Sequence, residues 1–302
     1  MVGERLNQRS LDVRQSCRDR QTTTIALWLN VVCLDAPLVA VTWQWFFAKN
    51  FRVALPVVSA VTLFLSAWLI YLIDRLVDAH SLPRDSAKTV REAFCLRHKN
   101  VWLGLILVIA LVDTAFVFWR LDHDVFVAGI FLGAIAVVYL AVNFAANKLW
   151  AAIPLKEIAV GFLFAAGTLL ALAPNLSVAM STITGRTFAL AAFIFACLCA
   201  LNCMSIAVWE RGLDRMQGKH SIATYWPRAE IFVQILFAIL VVASFFLGIL
   251  KPPLWPLSSC FALSAVLLIA LHFVPVSRDE RTALADLVLL TPLAWLLAGK
   301  VV

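Results

Sequence analysis

Charge is scarce in this chain of 302 residues: Asp, Glu, Lys and Arg make up 14% of it against 63% hydrophobic residues. At a mean hydropathy of +0.91 that shortage excludes a soluble fold with one buried core and points to a polytopic membrane protein. No linker-like stretch interrupts residues 24–302, so they read as one membrane-embedded domain. Residues 1–23 lack a short apolar core and carry five Arg. They are expected to form a basic cytoplasmic tail, not a cleaved signal peptide. The basic residues are dispersed, with no single basic face or aromatic interleaving, which argues against a nucleic-acid partner and for contact with anionic membrane lipids. Ligand-like spacing is missing too. His80, His98 and His220 fall in separate loop positions, and Cys33, Cys197, Cys199, Cys203 and Cys260 lie inside apolar runs, where they read as small packing residues.

What the chain has in abundance is apolar length. Nine segments are long enough to cross a bilayer as helices, at about 20 residues each: 24–48, 53–78, 101–119, 125–146, 152–174, 187–209, 230–250, 254–275 and 282–300. The expected fold is therefore all-α, with nine transmembrane helices in a single bundle. Nineteen of the 25 Lys and Arg fall on one side of these spans if the N-terminus is cytoplasmic. The positive-inside bias then places the C-terminus on the opposite side.

Against this apolar background, two short segments stand out. Asp74-Arg75-Leu76-Val77-Asp78 and Glu210-Arg211-Gly212-Leu213-Asp214 each follow a long apolar run and carry two acids four residues apart, hence on one helix face. Both lie on the expected cytoplasmic side. Acids at a helix C-terminus oppose its partial negative charge and call for a cation. Mg²⁺ takes oxygen ligands and commonly bridges one or two carboxylates to phosphates, so Asp74, Asp78, Glu210 and Asp214 are candidate metal ligands and catalytic groups around a diphosphate. Arg75, Arg97, Lys99, Lys156, Arg211 and Lys219 are candidates for fixed positive charge on the phosphates. Tyr71, Asn143, Asn202 and Ser205 are polar groups that could orient a ligand, and the intramembrane acids Asp35, Asp113 and Asp286 are expected to face a cavity or a partner.

These residues resemble the UbiA superfamily of intramembrane prenyltransferases, whose nine helices carry an NDxxDxxxD motif after the second span and a DxxxD motif after the sixth. The resemblance covers essentially the whole chain. Glu210-x-x-x-Asp214-x-x-x-Gly218 followed by Ser221-Ile222-Ala223 is similar to the second motif, and Pro154-Leu155-Lys156-Glu157 with Gly161 and Gly167 is similar to the fifth-helix region. Two departures are plain. Ile70 and Tyr71 occupy the Asn and first Asp positions of the first motif, and Glu210 replaces an Asp in the second. The resemblance implies a Mg²⁺-dependent enzyme that ionises a prenyl diphosphate and transfers the prenyl group to a lipid-soluble acceptor. A terpene cyclase on the same fold, a non-catalytic lipid-binding scaffold and a secondary transporter are the rival readings.

Overall fold

The computed structural model describes residues 25–82, 87–145, 155–173 and 183–297. The basic tail 1–23, Pro154 and the side chain of Asn143 lie outside the described residues. Within them every regular element is helical. In chain order these are α1 (Ile25–Val31), α2 (Asp35–Phe51), α3 (Val57–Ser81), α4 (Val90–Arg97), α5 (Lys99–Arg120), α6 (His123–Ala145), α7 (Leu155–Leu169), α8 (Ile183–Gln217), α9 (Ile222–Tyr225), α10 (Ala229–Leu250), α11 (Trp255–Leu271), α12 (Arg278–Val288) and α13 (Pro292–Leu297).

Six helices, α3, α5, α6, α8, α10 and α11, are long and apolar enough to cross a membrane, and α1 with α2 forms a seventh candidate bent by 97°. Expectation and structure part at three segments. The first expected span breaks at Val32–Leu34, where Cys33 adopts the left-handed conformation at φ 59° and Pro37 falls in the first turn of α2, the place a helix tolerates proline. Trp68 of α3 donates its indole N–H to the Val32 carbonyl freed by that break (3.0 Å). In place of the fifth expected span the described residues hold α7, 15 residues long, continued by a 3₁₀ turn at Leu170–Leu172. The ninth is divided between α12 and α13, because Pro292 supplies no N–H to continue the helix.

Burial follows the same pattern. Trp43, Phe47, Phe195 and Phe261 form the centre of the larger core, with Trp43 stacked on Phe261 at 5.1 Å between centroids. The Trp43 indole also donates to the Leu289 carbonyl (2.7 Å), tying α2 to the α12–α13 break. Gly161 lets α7 approach α8 so closely that a Cβ there would overlap the Ala200 backbone, the small-residue contact typical of helices packing in lipid. A smaller cluster of Leu72, Cys95, Trp102 and Ile109 joins α3, α4 and α5. Outward faces are apolar instead: Leu107 and Leu111 on α5, Phe131 and Ile135 on α6, and Ile235 and Ile239 on α10 are all exposed, as a lipid-facing surface requires.

Candidate functional site

The α3 helix carries Asp74 and Asp78 to its C-terminal end, and α8 carries Glu210 and Asp214 to its own. How α8 stops decides what the second motif can reach. Gly218 takes a left-handed φ of 68°, and the Lys219 and Gly218 N–H groups return to the carbonyls of Asp214 (2.8 Å) and Arg215 (3.3 Å). This is the glycine-dependent helix stop that satisfies the last carbonyls. It turns Lys219 toward the first motif: its Nζ lies 3.8 Å from Asp78 and 3.0 Å from Glu92 of α4. The two acid-bearing ends therefore share one end of the molecule.

Glu92 is the fastener between them. Its carboxylate accepts from the Thr89 N–H (2.8 Å), from Gln217 Nε2 (3.2 Å) and from Lys219, while its own N–H is capped by the Thr89 hydroxyl. Burial pushes this carboxyl up, but the Lys219 ammonium and these hydrogen bonds outweigh it and hold Glu92 at about 2. Sequence reasoning passed over Glu92, Arg91 and Gln217. The signal for Glu92 was there in Thr89-x-x-Glu92, a capping-box pattern.

Lys156 and Lys219 both act electrostatically on one acid of each pair, Asp74 and Asp214. Asp214 also accepts from the Ser221 hydroxyl (2.9 Å). Beside it Glu157 accepts from the Ile222 N–H (3.2 Å), leaving its second oxygen buried without a partner among the described residues.

The other sequence-selected residues are engaged elsewhere. Glu210 accepts from Arg91 Nη2 on both carboxylate oxygens (2.8 and 3.1 Å) and from the Thr282 hydroxyl of α12 (3.4 Å). Arg75 donates to the Tyr71 hydroxyl (3.0 Å) and lies 4.7 Å above the same ring. Arg211 is directed at the carbonyls of Trp226 (3.3 Å) and Pro227 (3.5 Å). Asn202 donates to Asp286 (2.8 Å), Ser205 bonds back to the Leu201 carbonyl, and Arg97 and Lys99 are exposed. Asp113 accepts from Ser66 across α3 and α5 (2.6 Å).

The donor set can be tested against a hard divalent cation. Among the described residues no three His, Cys, Asp or Glu side chains are grouped as a metal cage, so an all-protein site does not fit. What fits is the open mode, in which one or two carboxylates share Mg²⁺ with phosphate oxygens. Asp74 and Asp78 on one helix face, with Asp214 bonded through its carbonyl to the Lys219 that reaches Asp78, supply such oxygens, whereas Glu210 is already neutralised by Arg91. No protein-family model, no curated protein and no solved structure matches this chain.

Proposed function

We propose that this chain is a Mg²⁺-dependent intramembrane prenyltransferase-like enzyme, a divergent relative of the UbiA superfamily, which ionises a prenyl diphosphate and passes the prenyl group to a lipid-soluble acceptor. One observation carries the reading: Lys219, whose N–H closes on the Asp214 carbonyl at the end of the second acid segment, reaches Asp78 of the first with its Nζ (3.8 Å). Ammonium groups beside clustered carboxylates at the end of an apolar helix assembly are suited to a ligand with an anionic head, a bound cation and an apolar tail. The proposal includes the full topology of nine crossings, with the N-terminus and this mouth cytoplasmic and the C-terminus on the other side.

In this scheme Asp74, Asp78 and Asp214 would hold Mg²⁺, and the ion would supply Lewis-acid neutralisation of the diphosphate oxygens. Lys156 and Lys219 donate to the same oxygens and stabilise the charge that arrives when the C–O bond breaks and its electron pair leaves with the diphosphate. Lys219 is held for this by Glu92. The allylic cation left behind bonds to the acceptor, which gives up a proton. Arg75, fixed by Tyr71, adds positive potential beneath the acids, and Arg91 keeps Glu210 neutralised.

The test is incubation of purified protein with Mg²⁺ and prenyl diphosphates of increasing length, with and without a membrane lipid extract, followed by mass spectrometry. A prenylated lipid that needs the extract is the expected product. A cyclised hydrocarbon formed without it would identify a cyclase instead. Recovery of unchanged diphosphate throughout would favour a lipid-binding scaffold, the reading that the Glu210–Arg91 pair supports.

A further inference from the structure

One residue before Glu210, α8 carries Trp209 against His272, the residue that follows α11 and lies outside its membrane-crossing stretch. The His272 side chain is 1% exposed, and its ring centroid is 5.0 Å from that of the indole. Its Nδ1 has two neighbours with opposite needs. Trp209 Nε1 donates to it at 3.3 Å, while Oε1 of Glu230, in the first turn of α10, lies 3.5 Å from the same nitrogen. An indole N–H can only donate, and a carboxylate can only accept. A lone pair on Nδ1 therefore serves Trp209 and leaves Glu230 without a donor. A proton on Nδ1 serves Glu230 and displaces Trp209.

The hydrogen bond formed in the structure is the one from Trp209, which assigns the proton of the neutral ring to Nε2. That nitrogen is buried and has no partner among the described residues, so no hydrogen bond on that edge locks the ring into one form. We propose that His272 is a proton-operated latch beside the acid-bearing end of α8: neutral, it accepts from Trp209, and protonated, it releases that bond and donates to Glu230. One proton from solvent adds to the Nδ1 lone pair, and no other covalent bond forms or breaks. Glu230, 52% exposed, stands on the solvent side of the ring. The charged groups facing His272 are Glu230 on α10, which favours the protonated ring, and Arg281 on α12, which opposes it. From α8 the facing group is the uncharged Trp209. Burial outweighs Glu230 and holds the imidazole below its ordinary 6.5, so the latch is closed on Trp209 at neutral pH. Opening it affects more than one contact. Arg281 lies 5.7 Å above the Trp209 ring, and the next residue of α12, Thr282, donates to Glu210, so the indole stands where α8 meets α12.

Indole N–H resonances of ¹⁵N-tryptophan-labelled protein in detergent read the latch directly, with the Trp209 signal assigned by its loss in Trp209→Phe. Across the range in which imidazole titrates, about pH 8 to 4.5, the wild-type Trp209 signal should move in one step with a midpoint below 6.5, toward the position of an indole without an acceptor. Glu230→Gln, at an exposed position, should lower that midpoint by about half a pH unit, the scale of an exposed ion pair. His272→Gln keeps an acceptor for the indole on a side chain that does not titrate, and it should abolish the step. The latch is overturned if the Trp209 signal stays still across the range, if its step survives His272→Gln, or if Glu230→Gln leaves the midpoint in place or raises it. A step shared by all the indole signals equally overturns it, as acid unfolding in place of a local exchange.

Discussion

Single residues decide whether the mouth can hold an anionic ligand, and Glu92 is the one the structure adds. Its ionised form is favoured by folding, because its folded value of about 2 lies below the ordinary 4.5. The stability it contributes is therefore fully present above about pH 4.5 and is lost as pH falls toward 2. Glu92→Gln should flatten that part of the stability profile, and Glu92→Ala should cost about 2 kcal/mol at neutral pH, since it strands Lys219 and Gln217. Denaturation of both variants across that window would measure it. For turnover, Asp74→Asn and Asp78→Asn should each lower Mg²⁺-dependent product formation by about 10²–10³-fold, the scale of losing an electrostatic group at a reacting centre. A matched thermal melt would separate that loss from unfolding. The acids were legible because they repeat at matching helix ends. Their partners were not, since Arg91 is 119 residues from Glu210 in sequence and nothing local in the chain announces that pairing.

At the scale of elements, helices were easier to read than their breaks. The runs under α3, α5, α6, α8, α10 and α11 are unbroken, and hydropathy alone finds them. The first expected span looks equally apolar, yet Asp35 and Pro37 mark a new helix start inside it, and the carbonyls freed there are satisfied by Trp68 and by turns that sequence does not display. Pro292 plays the same part in the ninth. The α7–α8 contact is where an element depends on one atom: Gly161 has no Cβ to strike Ala200. Gly161→Val should separate the two helices and destabilise the protein by about 3 kcal/mol or more, at the upper end of overpacking costs. Gly104→Val, with open space around it, should change stability by less than about 1 kcal/mol. Thermal unfolding in detergent compares the two directly.

For the whole molecule, what matters is that the ends of α3 and α8 meet. Lys219 touching Asp78 is the contact expected if the acid motifs face one compartment, and the Lys and Arg asymmetry nominates the cytoplasm. Cysteines introduced at Arg97 and Met216 on a cysteine-free background should both be labelled only from the cytoplasmic side. Labelling on opposite sides would be incompatible with one shared site. The central claim, that this mouth binds Mg²⁺ together with a prenyl diphosphate, is tested most directly by ligand-dependent melting of the purified protein. A ligand bound only by the native state stabilises it by about 2.7 kcal/mol at one hundred times its Kd. Wild type should therefore melt several degrees higher with Mg²⁺ and a prenyl diphosphate than with either alone, and Asp74→Asn and Lys219→Ala should lose the increment. An unchanged melting temperature in wild type with every prenyl diphosphate tested, Mg²⁺ present, would contradict the account.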